Sequence, residues 1–230
     1  MEEEVSTIRK TTLEELASSF KDKFRTQSKF IADNADLMAV KDEVARFVGE
    51  ICAYNALKAR NGHVDMPCRW LTLSGRSGCG KTMLAKEAFE FVKANAGIRE
   101  RFRAPIEVCG EVRGYDEYVV HNAVEFYGQG ELSASLAAPE WRNRRAENVF
   151  FVAVDDLGAG HNSDFLIAKL GELLNRRMGK WTMITTNFSQ KDMAEILDTR
   201  IASRITRDGN VLREILSGDY CLRKQKGKKC

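Results

Sequence analysis

The stretch Leu73-Ser74-Gly75-Arg76-Ser77-Gly78-Cys79-Gly80-Lys81-Thr82, directly after Trp70-Leu71-Thr72, decides the fold. Its regular part is G-x-x-x-x-G-K-T, with Gly75, Gly80, Lys81 and Thr82 in the fixed positions. This is the Walker A phosphate-binding pattern. Glycines let successive backbone N–H groups converge on phosphate oxygens with no Cβ in the way. The loop opens a helix, and a helix N-terminus favours an anion. Lys81 is placed to reach β- and γ-phosphates, and the Thr82 hydroxyl to hold Mg²⁺. Gly75, Ser77, Gly78, Cys79, Gly80, Lys81 and Thr82 are therefore the candidate ATP-binding residues. A plain glycine turn between a strand and a helix uses the same letters, so the rest of the chain must supply the other half of a nucleotide site.

That other half is an acid at the end of a buried strand. Residues 149–154 are six consecutive apolar positions followed by Asp155 and Asp156. Such a run fits a parallel strand covered on both faces. Asp155 is read as the metal-side acid. Asp156 is read as the carboxylate that polarises the attacking water. A third polar position follows on the next strand, where Thr185-Thr186 leads to Asn187. Asn187 either orients the lytic water or senses the γ-phosphate; as a bare sequence feature it is equally a polar turn residue. Arg200 and Arg204 lie four apart, on one face of a short helix. They are surface charges or cations donated to a neighbouring copy's phosphates.

Around these positions the chain alternates. Residues 11–24 and 36–62 carry apolar residues at helical spacing, and Thr12 with Glu15 makes a capping-box pair. A strand is predicted at 69–74, a helix at 81–97, a second strand at 104–110 and a helix at 116–128. Residues 128–148 read as short helices or loop. Then come a strand at 148–158, a helix at 163–179, a strand at 180–188 and two short helices at 189–197 and 198–205. A closing hairpin is predicted at 210–224 with its turn at Gly218. Strand–helix alternation from residue 69 onward means an α/β fold with a mainly parallel sheet flanked by helices. Ligands in such sheets bind at the carboxyl ends of the strands.

Composition fits this reading. The 230 residues are 43% hydrophobic and 30% charged, as in an ordinary globular protein. No apolar run approaches the roughly 20 residues that cross a bilayer, and the acidic start Met1-Glu2-Glu3-Glu4 is unlike a secretory signal. The six cysteines form no C-x-x-C pair, so reduced thiols and a cytoplasmic location are expected. Net charge is +3, but Arg223, Lys224, Lys226, Lys228 and Lys229 all lie in the tail; without those five the remainder stands at −2. The tail either touches nucleic acid or is a solvated end.

The ordered set of Gly75–Thr82, Val154-Asp155-Asp156-Leu157-Gly158, the stretch 172–178, Thr185-Thr186-Asn187, the stretch 197–205 and the ending Asp219-Tyr220-Cys221-Leu222-Arg223-Lys224 resembles the AAA+ ATPases. Within them it is similar to the DnaC/DnaI-type helicase loaders, with IstB-like transposition ATPases as relatives. The resemblance runs over residues 24–224. It implies a P-loop AAA+ core with N-terminal helices and no C-terminal helical lid, divided as an N-terminal arm at 1–34, an ATPase domain at 35–222 and a basic tail at 223–230. It implies ATP and Mg²⁺ as cofactors, hydrolysis by Asp155 and Asp156 with Asn187 as sensor, and side-by-side self-assembly in which Arg204 acts on the neighbour's nucleotide with Arg200 beside it. The implied partners are single-stranded DNA and a replicative helicase, or a transposase in the IstB-like alternative; no membrane is involved.

The segment before the acidic strand adds arginines and aromatics suited to phosphate contact and base stacking: Arg113, Tyr115, Trp141, Arg142, Arg144 and Arg145. A solvated charged face is the competing reading of the same residues. Two departures from the family pattern stand out. Cys221 occupies the position where the family carries an arginine after the terminal tyrosine, and the segment before the P-loop is short. A nucleotide-gated interaction protein with little hydrolysis stays open on those grounds. A small P-loop kinase would have no use for the Thr-Thr-Asn strand end or for the Arg200/Arg204 helix.

Overall fold

In the computed structural model, helix α1 (Leu13–Gln27) starts at the predicted cap. The Thr12 hydroxyl accepts from Glu15 N at 3.2 Å while the Glu15 carboxylate accepts from Thr12 N at 2.9 Å, which satisfies two donors a helix start otherwise leaves open. The structure describes residues 12–61, 64–96, 99–108, 111–121, 124–137, 146–160 and 163–218. The long helix α2 (Ala35–Asn61) follows, and α1 packs along it. Lys21 pairs with Asp42 at 3.0 Å, and Phe24 meets Phe91 edge-on at 5.3 Å. Residues 28–30 are tied to the body: the Glu87 carboxylate accepts from Ser28 Oγ at 2.6 Å and Lys29 N at 3.0 Å, and Lys41 Nζ donates to Phe30 O at 2.9 Å.

The chain then runs through β1 (Trp70–Gly75), α3 (Lys81–Asn95), β2 (Arg99–Val108), β3 (Glu111–His121), β4 (Val124–Tyr127), α4 (Gln129–Ala137), β5 (Phe151–Leu157), α5 (Asp164–Arg176), β6 (Trp181–Thr186), α6 (Gln190–Ile196), α7 (Thr199–Thr206) and β7 (Val211–Ile215). The main sheet has five strands in the order β4-β5-β6-β1-β7, and every pairing in it is parallel. Its centre, β6, is buried at all six positions. Strands covered on both faces read as continuous apolar runs, which is the pattern of residues 149–154. Phe47 and Tyr54 of α2 close edge-on over Trp181 at 5.6 and 6.0 Å. Each large apolar side chain buried this way stabilises the fold by about 1.5–3 kcal/mol. At the opposite end of the strands from the P-loop, buried Arg177 donates to the carbonyls of Ala146, Val149 and Trp181 and to Thr182 Oγ1. One side chain thus ties the approach to β5 to the start of β6.

Two predicted elements are corrected. Where a helix is predicted at 116–128, residues 116–121 and 124–127 are strand: the end of β3 and then β4. Tyr118, Val119, Val120, Val124, Phe126 and Tyr127 are aromatic or β-branched, and that preference for a pleated surface outweighs an incidental helical spacing. The strand predicted at 104–110 is the second half of β2, which pairs antiparallel with β3 in a separate two-stranded sheet. The second strand of the main sheet is β4. The first limb of the predicted closing hairpin is β7, which lies parallel to β1; its second limb falls in Asp219 to Cys230, which with the basic tail lie outside the described residues. Among the described residues no helix is long and apolar enough to cross a membrane.

Candidate functional site

The carboxyl ends of β1, β5 and β6 converge on one place. From β1 the chain enters the glycine loop with φ of 147° at Gly75 and 103° at Gly80, values L side chains rarely adopt. Space forbids a side chain there as well. A Cβ on Gly80 would lie 2.6 Å from the Phe30 ring, and one on Gly75 would lie 2.7 Å from the Ile215 carbonyl oxygen. The loop is therefore clamped between the segment before α2 and the end of β7. The Asp36 carboxylate joins those two flanks, accepting from Leu216 N at 3.1 Å and Ser217 N at 3.0 Å.

Lys81, the first residue of α3, is only 4% exposed. Its ammonium donates to Gly75 O at 2.8 Å, Arg76 O at 2.9 Å and Asn187 Oδ1 at 2.9 Å, with Cys79 Sγ at 3.6 Å. An ammonium has three protons, so Asn187 holds one of them. The two residues come from stretches 106 positions apart and are in direct contact. Thr82 stands half-buried in the first turn of α3, and Ser77 and Gly78 are exposed at the loop tip.

The acidic pair sits on an irregular strand. In β5 and β6, Val154 is level with Ile184 and Leu157 with Thr186. Two residues of β5 thus face one residue of β6, a β-bulge. Asp156 takes φ of 55° within it, uncommon for any residue but glycine. A regular strand would send Asp155 and Asp156 to opposite faces; the bulge breaks that alternation. Asp155 is buried, and its Oδ1 accepts from Thr185 Oγ1 at 2.6 Å. The same Thr185 oxygen accepts from Asp156 N at 2.9 Å. The sequence marks the two acids but gives no role to Thr185, because the bulge that brings it to both has no letter of its own.

These residues fit a magnesium nucleotide. Asp155 and Thr82 are hard oxygen donors, and among the described residues no group of three or more His, Cys, Asp and Glu gathers to hold a metal. Mg²⁺ suits a site with one or two protein oxygens completed by phosphates and water.

Arg200 and Arg204 lie elsewhere. They line a cavity of about 310 Å³ between α5 and α7, to which neither the P-loop nor the acidic pair contributes. Arg204 Nη2 donates to Asn175 Oδ1 at 3.2 Å. Arg200 pairs with Asp198 at 3.3 Å and is largely exposed. Hydrogen bonds from the Arg200 backbone and side chain hold the Asp198 carboxyl below its ordinary range. Apolar Ile201, Ala202 and Ile205 seat α7 in the core. Of the nucleic-acid candidates, Arg113 and Tyr115 fall on β3, and Trp141, Arg142, Arg144 and Arg145 lie outside the described residues.

No family model and no curated protein sequence matches the chain. Solved structures do. The DnaC helicase loader is similar at 20% identity and a TM-score of 0.58, over 84% of this chain and 98% of that one. DnaI is similar at 20% identity and 0.55, over 84% and 88%. The replication initiator DnaA, bound to AMPPCP and single-stranded DNA, is similar at 16% identity and 0.54, over 86% of this chain and 52% of that one. With its sheet order, its glycine loop after β1 and its acidic pair on β5, the chain has the P-loop AAA+ fold of the DnaC and DnaI structures.

Proposed function

We propose that the chain binds and hydrolyses ATP, assembles side by side with copies of itself on single-stranded DNA, and serves as a replicative helicase loader in the cytoplasm. The observation that carries the nucleotide part is the meeting of Lys81, Asn187 and the Thr185-held acidic pair at one end of the sheet. The loader part rests on the likeness to DnaC and DnaI. In this reading residues 1–34 are an arm toward the helicase, 35–222 the ATPase domain and 223–230 a basic tail.

Each residue then has a task. Backbone N–H groups of Gly75–Thr82 and the Lys81 ammonium bind the phosphates, Lys81 exchanging loop carbonyls for phosphate oxygens. Thr82 and Asp155 would hold Mg²⁺, which when bound would supply neutralising charge for those oxygens. Asp156 accepts a proton from the attacking water, and Asn187 orients that water. Because Asn187 shares a proton with Lys81, a change at the phosphates reaches β6 in one step. Arg204 of a neighbouring copy supplies the remaining cation, with Arg200 beside it.

The DNA part draws support from the strand register of the β2–β3 hairpin. Arg99, Arg101 and Arg103 occupy alternate positions of β2, which places them at one face. Tyr115, level with Pro105, belongs to the same face. Phe102, Ile106, Tyr118 and Val120 occupy the alternate set. A single-stranded oligonucleotide should bind with strong salt dependence. Changing Arg99, Arg101 and Arg103 to Ala should lower the slope of log affinity against log salt by about 2, from roughly 0.7 per lost phosphate contact. An unchanged slope, set against a lowered one for Arg142, Arg144 and Arg145 changed to Ala, would move the DNA contact to the second segment. Capture of a replicative helicase supports the loader role; capture of a transposase instead overturns it.

A further inference from the structure

We propose that Thr185 is the positioning residue of the acidic pair, the side chain that turns two consecutive aspartates into a metal-and-water site. The inference rests on the nucleotide reading above and adds to it a residue that acts through the two acids. Thr185 is fully buried at the level of the β5 bulge. Its one hydroxyl makes two hydrogen bonds in opposite senses. It donates its proton to Asp155 Oδ1 and accepts the Asp156 N–H. A hydroxyl has one proton to give and lone pairs to receive, so the directions are fixed: a carboxylate cannot donate and a backbone N–H cannot accept.

Both bonds act on the geometry that matters. The first fixes one Asp155 oxygen and so aims the carboxylate. The second holds Asp156 in its left-handed conformation, which costs free energy unless the surroundings enforce it. Neighbouring threonines do other work. Thr186 Oγ1 donates to Leu157 O at 2.8 Å and accepts from Phe188 N at 3.2 Å, which carries β6 into the following turn. Thr182 serves Arg177 at the other end of the strand. Among the described residues of β6, Thr185 is the one whose side chain hydrogen-bonds the acidic pair.

Thr185→Val keeps the shape and removes the hydroxyl; Thr185→Ser keeps the hydroxyl. Titrating Mg²⁺ at fixed ATP, Thr185→Val should need about 10–100-fold more metal for half-maximal turnover, the usual loss when a group orienting a ligand is removed. ATP affinity measured in EDTA should stay as in the parent chain. Thr185→Ser should return within a few-fold of the parent in every measurement. Amide exchange supplies the readout that needs no nucleotide: the Asp156 amide should lose protection in Thr185→Val and keep it in Thr185→Ser. Thr185→Ala serves in the same assays should the valine variant not fold. A parent-like Mg²⁺ titration in Thr185→Val, or a serine variant as impaired as the valine one, overturns the proposal. If the parent chain binds no nucleotide, the nucleotide reading fails by itself. Exchange at Asp156 still decides then whether Thr185 holds the bulge, and unchanged protection in Thr185→Val overturns it.

Discussion

The P-loop end of the sheet and the α5–α7 cavity hold the same kinds of side chain and treat them differently. At the first, Lys81 is buried and its ammonium is shared among two loop carbonyls, a sulfur and Asn187. At the second, Arg200 and Arg204 reach a cavity open to solvent, and among the described residues their side chains bond Asp198 and Asn175. A buried cation is costly unless it is fully hydrogen-bonded, so Lys81 belongs to a site finished within one chain. Arg200 is exposed and Arg204 half-buried, and pairs near the surface carry little energetic weight where they stand, which leaves both side chains able to act on something brought to them. On the function proposed above, one chain supplies binding and its neighbour the last catalytic charge.

Four substitutions break or sharpen that contrast. Arg204→Ala should leave ATP affinity unchanged and lower turnover by about 10³–10⁵, the range measured for such arginines; calorimetry and a phosphate-release assay check the two halves. Loss of binding in that variant would move Arg204 into the binding site of its own chain. Asp156→Asn should reduce turnover by about 10²–10⁴ with binding preserved; an equal fall in both would assign Asp156 to binding. For Lys81→Ala the order reverses. Affinity should drop by roughly 10²-fold, since a charge-assisted hydrogen bond is worth about 1.5–3 kcal/mol, and an unchanged Kd would remove the phosphate role. Asn175→Ala should lower turnover by about tenfold, the low end of the range for a hydrogen bond to a charged group because this one is exposed, and only in assembled protein. A loss seen equally in dilute, unassembled protein would make Asn175 a folding residue.

Much of this was legible in the letters, and the parts that were not have a common cause. The capping box at Thr12, the glycine loop and the apolar run before Asp155 are local patterns, and local patterns survive folding. Residues 116–128 misled because Val, Tyr and Phe at helical spacing also suit strands; only the vacant edge beside β5, which β4 fills, decides between them. The P-loop letters located Lys81 but not its contact with Asn187, which requires β1 and β6 to be neighbours. The Asp155-Asp156 pair was visible, whereas the bulge and Thr185 emerge from the register of two strands. The clamp of Phe30 and Ile215 around the glycines left no trace in sequence at all.

The central claim is that catalysis is divided between copies, and mixing two inactive variants tests it most directly. Arg204→Ala keeps an intact P-loop; Lys81→Ala keeps an intact Arg204. Combined in equal amounts with single-stranded DNA, they should regain a measurable fraction of parent turnover, because one kind of interface in the mixture joins an intact loop to an intact arginine. Activity should also rise per chain with protein concentration in the parent. A mixture that stays as inactive as its components, beside a parent whose turnover per chain is independent of concentration, would contradict the account.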